Sequence, residues 1–214
     1  MLKDRDEAAR LLASRLKAWK GKHPLILAIP RGAVPMGAIL ADTLEGDLDV
    51  VLVRKLGAPD NPEYALGAID ESGTVHITDQ YAWDSLSPET SKALIERELA
   101  TLGKRRASYT PVRPPLDPKD RVVIVVDDGV ATGATVMAAL TAIRRRHPAR
   151  LILAIGVAPP HTLERLRSLV DELVCLEAPS DFWAVGQFYL SFDQVEDEEV
   201  EAILQRFAGK TKGQ

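Results

Sequence analysis

Asp127 and Asp128 end an apolar run, Val122-Val123-Ile124-Val125-Val126, and lead directly into Gly129-Val130-Ala131-Thr132-Gly133-Ala134-Thr135. Adjacent carboxylates can accept hydrogen bonds from a pair of hydroxyls. A turn of glycines and alanines lets backbone N–H groups approach a ligand closely. A helix predicted from Gly133 onward aims its N-terminus into that turn, a favourable place for an anion. Together these features suit one ligand that carries both hydroxyls and a phosphate. Two other readings compete. One is a buried strand ending in a solvated acid pair. The other is an unrelated magnesium-dependent phosphoryl enzyme, which would need a phospho-accepting Asp in a motif of its own; the sequence offers none.

Cations stand at two further predicted strand ends. Leu25–Ile29 reads as a short buried strand, followed by Pro30-Arg31-Gly32-Ala33-Val34-Pro35 and a helix to about Leu44. Asp49–Val53 reads as another strand, with Arg54-Lys55 directly after it. Arg offers a planar fork and Lys a movable point charge, a combination that suits a diphosphate. A solvated turn is the competing reading for Arg31. Leu56–Gly67 is rich in Pro, Gly, Asn and Asp and is therefore expected as a loop.

The stretch VVIVVDDGVATGAT resembles the phosphoribosyl-pyrophosphate (PRPP) motif of type I phosphoribosyltransferases. Gly129 departs from it, since most members carry an aliphatic residue there. The resemblance implies displacement of pyrophosphate from C1 of PRPP by a nitrogenous acceptor, through an oxocarbenium-like transition state. Asp127 and Asp128 would accept from the ribose 2′- and 3′-hydroxyls. Gly129, Val130, Ala131, Thr132, Gly133, Ala134 and Thr135 would bind ribose and the 5′-phosphate. Arg31, Gly32, Arg54 and Lys55 would hold pyrophosphate, and Asp127, Asp128, Lys55 and Arg31 would carry the catalysis. Mg would be held mainly by substrate oxygens and water, with no dedicated protein cage. A mobile catalytic loop is implied after Arg54-Lys55, within Leu56–Gly67 or the longer region to about residue 88. Members acting on 6-oxopurines usually place an Asp where this chain has Ala131, so the acceptor stays open. Asp60 and Glu63 are candidate proton-transfer groups. A PRPP-binding regulator without turnover is the alternative reading.

The elements that must position these residues follow from apolar periodicity. Residues 4–20 read as an amphipathic helix. Leu66–Ile69 and Thr74–Thr78 read as a hairpin, 79–87 as irregular, and Pro88 to about Ser108 as a helix with Ser87 as N-cap. Pro111, Pro114, Pro115 and Pro118 make a stiff connector. A helix to about Arg146, the strand Arg150–Val157, a helix after Pro159-Pro160, the strand Glu172–Leu176 and a last helix Asp197–Phe207 complete the pattern, before a polar tail, Gly209–Gln214.

Five apolar strands alternating with helices give an α/β fold: three layers, α/β/α, around a mostly parallel central sheet. The resemblance adds one antiparallel strand and an inserted helix. It makes residues 1–214 a single domain, with a core at about 25–176, a helical insertion at about 88–110, and 178–214 as a hood or packing element. Residues 178–193 hold Phe182, Trp183, Phe188, Tyr189 and Phe192. They could stack a nucleobase, close the core, or form a homodimer contact.

A net charge of −4 argues against a partner bound by overall positive charge, so nucleic acid is not expected. Cys175 is the single cysteine, which excludes an intrachain disulfide and a cysteine-rich metal site. No apolar run reaches membrane-spanning length. A cytoplasmic protein acting on PRPP and a small nitrogenous acceptor is expected.

Overall fold

The computed structural model describes residues 1–109, 111 and 115–209, with Glu63 described by its backbone alone. The side chain of Glu63, part of the proline connector and most of the polar tail therefore lie outside the described residues. The chain runs α1 (Arg5–Arg15), β1 (Leu25–Ala28), α2 (Ala33–Leu44), β2 (Asp47–Val50), β3 (Val53–Ala58), β4 (Asn61–Asp70), β5 (Val75–Ile77), α3 (Gln80–Asp84) and α4 (Pro88–Tyr109). It continues through β6 (Val122–Gly129), α5 (Ala134–Arg144), β7 (Arg150–Val157), α6 (Pro160–Arg167), β8 (Glu172–Glu177) and α7 (Asp197–Ala208). Among the described residues, no helix is long and apolar enough to cross a membrane.

The central sheet has the order β2-β1-β6-β7-β8, and every neighbouring pair is parallel. Its strands are apolar on both faces because helices cover both. One face packs on residues such as Leu12, Met36, Leu44 and Phe207 of α1, α2 and α7. The other packs on residues such as Val136, Leu140, Leu163 and Leu166 of α5 and α6. β1 and β6 are adjacent, and the strand order reverses between them. Their carboxyl ends frame the crevice where such sheets bind ligands.

Asp49–Val53, expected as one strand, is two. β2 ends at Val50, and the chain leaves the central sheet through Val51 and Leu52 to begin β3. Arg54 and Lys55 thus lie inside a strand rather than beyond one. The expected loop Leu56–Gly67 is mostly strand as well. β3, β4 and β5 form an antiparallel sheet of their own, in which the expected hairpin at 66–78 is present. Gly57 explains the misreading. The β3–β4 register slips on both sides of it, and a Cβ there would come within 2.3 Å of the Pro62 carbonyl oxygen. Glycine and proline mark a bulge with close backbone approach, where their composition suggested a loop. The small sheet packs between α5 and α4. Residues 79–87, expected as irregular, contain α3, capped by the Asp79 side chain accepting from the Ala82 N–H. Ser87 caps α4 as expected, accepting from the Thr90 N–H at 3.1 Å.

Residues 2–3 are zipped to residues 188–191. The Leu2 N–H donates to the Phe188 carbonyl, and the Leu190 and Ser191 N–H groups donate to the carbonyls of Leu2 and Lys3. This pairing lays residues 185–193 across the carboxyl end of β6. A Cβ at Gly129 would meet Val185 Cγ1 at 2.3 Å and Val157 Cγ1 at 3.0 Å. Val185 therefore takes up the space an aliphatic residue at position 129 would need. Gly129→Val should destabilise the fold by about 1–3 kcal/mol through overpacking. Adding Val185→Ala should recover most of that loss in a denaturant titration; additive losses would contradict the interlock.

Candidate active site

β6 carries both acids within the strand, which continues three residues past its apolar run to Gly129. Asp127 keeps contact with solvent in the cleft, whereas Asp128 is buried. Asp127 Oδ1 accepts from the Asp128 N–H at 2.9 Å. Burial, and then the neighbouring Asp128 charge, push the Asp127 carboxyl well above the usual carboxylate range. Burial also raises Asp128, but the Arg5 guanidinium opposes that rise. Two like charges this close are costly unless something balances them.

That counter-ion comes from α1, 123 residues away. Arg5 Nε donates to Asp128 Oδ2 at 2.7 Å, and its Nη1 donates to the Asp193 carbonyl at 2.5 Å. The guanidinium carbon lies 3.9 Å from the centre of the Phe192 ring. The Tyr189 hydroxyl donates to the Asp128 carbonyl at 2.6 Å. Burial first, and then the charge of Asp128, keep that phenol protonated far above its usual range. A Cβ at Gly156 would meet the Tyr189 hydroxyl at 2.1 Å, so a side chain there would break this contact.

After β6 the chain makes the small-residue turn and enters α5 at Gly133, whose φ of 85° is left-handed. The Ala131 carbonyl is fixed by the Thr162 hydroxyl at 2.7 Å. The first N–H groups of α5 have no intrahelical acceptor and point toward the turn. The positive end of the helix dipole thus meets the cleft beside the acid pair.

This cleft, of about 360 Å³, is lined by Gly32 and by every residue from Asp127 through Thr135, along with Val185. A second cleft of about 610 Å³ shares Pro30 and Thr135 with it and is lined by Arg54, Lys55, Arg97 and Arg105. The structure thus brings together the acid pair, the amide-rich turn, Gly32, Arg54 and Lys55. Arg31 differs in its side chain, whose Nη1 donates to Glu196 at 2.9 Å and lies 3.8 Å from Asp197. Arg54 Nε donates to Glu98 of α4 at 2.8 Å. Burial pushes Glu98 up, but Arg54 and Arg97 outweigh it and hold its carboxyl below the usual range. Gly32 cannot be larger here: a Cβ would lie 2.2 Å from Asp128 Oδ2. A third cavity, of about 240 Å³, has Asp49, Leu52, Arg106 and Arg145 in its wall and none of the motif residues.

Among the described residues, no group of three or more His, Cys, Asp or Glu side chains is arranged to hold a metal ion. Asp128 is engaged by Arg5 and Asp127 by the Asp128 N–H, so a hard cation here would have to draw further oxygen ligands from a bound ligand.

A family model described as the phosphoribosyl transferase domain matches residues 2–193. The chain belongs to the phosphoribosyl transferase family. A solved structure of TT1426 from Thermus thermophilus is 44% identical, with a TM-score of 0.84 over 97% of this chain and 99% of that one. A Mycobacterium tuberculosis protein named provisionally as a phosphoribosyl transferase is 39% identical over 204 residues, 95% of this chain. The chain spans 46% of that relative's length. In this family member, Arg5, Tyr189, Thr162 and Glu98 support the site without any local sequence signal. Arg5 reads as one more charge on a helix whose apolar positions suggest only packing.

Asp127→Asn would keep the oxygen that accepts from the Asp128 N–H and remove a like charge. At pH 7 it should raise the melting temperature by about 2–4 °C, or about 1 kcal/mol for a chain of this size. A carboxyl with a raised folded pKa costs stability when ionised. The gain should therefore be full above that folded value and fade as pH falls toward the unfolded range near about 4. An unchanged or lower melting temperature at pH 7 would contradict the like-charge account.

Proposed function

We propose that this chain is a PRPP-dependent transferase. It moves the 5-phosphoribosyl group to a small nitrogenous acceptor, of the nucleobase class, and releases pyrophosphate with Mg as cofactor. The observation that carries this reading is one cleft holding the acid pair against an amide-rich helix N-terminus, next to a cleft lined by Arg54 and Lys55 that shares Pro30 and Thr135 with it. The 5′-phosphate sits on the backbone N–H groups of residues 130–135, helped by the hydroxyls of Thr132 and Thr135. Asp127 and Asp128 accept from the ribose hydroxyls and fix the sugar. Gly32 lets the diphosphate loop lie against Asp128. Lys55 and Arg54 meet charge as it develops on the leaving group, and Arg31 joins them on leaving Glu196. Bound Mg would neutralise part of the diphosphate charge. Catalysis then rests on positioning and electrostatics rather than on a covalent intermediate. The acceptor approaches C1 from the side where Val185 and the aromatic segment stand. The protein acts in the cytoplasm.

A PRPP-binding regulator is the second reading. What favours it is the pairing of Arg31 with Glu196 and of Arg54 with Glu98, which leaves two of the expected cations already engaged.

PRPP with Mg at 100 times its dissociation constant should stabilise the fold by about 2.7 kcal/mol, and Asp128→Asn should abolish that shift. No thermal shift in the wild type would sink the PRPP site. For an enzyme, Lys55→Ala should lower turnover far more than PRPP affinity, because the contact strengthens in the transition state. An effect on affinity alone, with no pyrophosphate released by any purine, pyrimidine or small amine, would favour the regulator.

A further inference from the structure

Arg5 lies outside every segment that the PRPP motif or the cationic turns account for, yet it makes the shortest ion pair to the acid pair. The Arg5 and Asp128 side chains are 13% and 12% exposed, so the pair is shielded from the solvent that weakens surface ion pairs. Each side of the guanidinium fork is engaged: Nε by Asp128, Nη1 by the Asp193 carbonyl, and the ring plane by Phe192. Asp128 Oδ2 is wedged between this arginine and Gly32, where a Cβ would also lie 3.0 Å from Arg5 Nη2. An arginine held on three sides cannot drift from the carboxylate without disturbing the C-terminal segment.

We propose, on the PRPP reading above, that Arg5 is a positioning residue: it fixes the Asp128 carboxylate in one rotamer, balances its charge, and presents the remaining oxygen to a ribose hydroxyl. The opposite possibility has a clear signature. An arginine that merely occupied Asp128 would compete with ribose, and its removal would tighten PRPP binding.

Few groups set the charge balance around Asp128. Asp127 faces it along β6, Arg5 from α1, and the Tyr189 hydroxyl from the C-terminal segment. Cys175 of β8 is close to Tyr189, and burial pushes its thiol up to about 11. The Arg31 side chain of the diphosphate loop turns away to Glu196. On the outer side of Arg5 stand Asp4, Asp6, Asp193 and Glu199. Of the charged side chains facing Asp128, Arg5 is the one that favours its ionised form against burial, alongside the backbone N–H groups of Asp128 and Gly129. A carboxylate that has lost its partner protonates at higher pH and then ceases to accept.

The test measures PRPP binding with Mg by calorimetry on the full chain across pH, with carbon-13 spectra of the Asp128 carboxyl on the same samples. Arg5→Met should weaken PRPP about tenfold near neutrality and move the acid limb of binding up by about one pH unit. Arg5→Lys keeps the charge but not the fork, so its acid limb should return toward the wild-type position while affinity recovers only in part. In the unsubstituted protein the Asp128 carboxyl should be ionised at pH 7, a readout that needs no variant to fold. A protonated Asp128 there would overturn the proposal. So would Arg5→Met binding PRPP as well as or better than the wild type. If the wild type binds no PRPP, the substrate reading falls; the carboxyl titration separates that failure from this one, because Arg5→Met must still raise the Asp128 midpoint.

Discussion

Two carboxylates at the buried end of a central strand are electrostatically expensive, and the rest of this molecule is arranged around that cost. Moving them out of water raises both, and the Asp128 charge raises Asp127 further. The fold answers with one guanidinium from the first helix, held by a carbonyl and an aromatic ring of the C-terminal segment. That answer requires the start of α1 to lie beside residues 185–193, which the Leu2 pairing with residues 188–190 accomplishes. The helix N-terminus beyond the turn supplies a second, fixed source of positive potential that no proton can titrate away. A site of this kind sets strong acceptors for hydroxyls beside backbone N–H donors for an anion.

The same arrangement accounts for several residues that look ordinary one at a time. Gly129, Gly156 and Gly32 stand where residues 185–193 or the turn after β1 press on β6 or on Asp128. Val185 takes up the space above Gly129. α4, expected as an insertion, supplies Glu98, which holds Arg54 beside the second cleft. Each is a packing decision made far from the motif that it serves.

Which parts were legible in the sequence follows from the range of the forces involved. β6 and the turn after it were readable because a β-branched run, an acid pair and small residues are all local signals. The adjacency of β1 and β6 is a property of the sheet order and leaves no local signal in either strand. The β3–β4 hairpin was hidden because Gly57 and Pro62 read as loop formers, whereas here they permit a bulge and a close backbone crossing. Arg5 was hidden for a different reason. A contact across 123 residues leaves no periodic trace, and an arginine on a helix is usually solvated. Arg31 was placed by the sequence in the right turn, but its rotamer depends on Glu196, which no turn motif contains.

Central to the proposed function is that the acid pair and the N-terminus of α5 bind one ligand together. A crystal structure of the chain with PRPP and Mg tests this most directly. It should show the ribose hydroxyls within hydrogen-bond distance of Asp127 and Asp128, with the 5′-phosphate on the backbone amides between Val130 and Thr135 and Arg5 still seated on Asp128. A phosphate bound away from that turn, or a ribose that displaces Arg5 to reach Asp128, would contradict it.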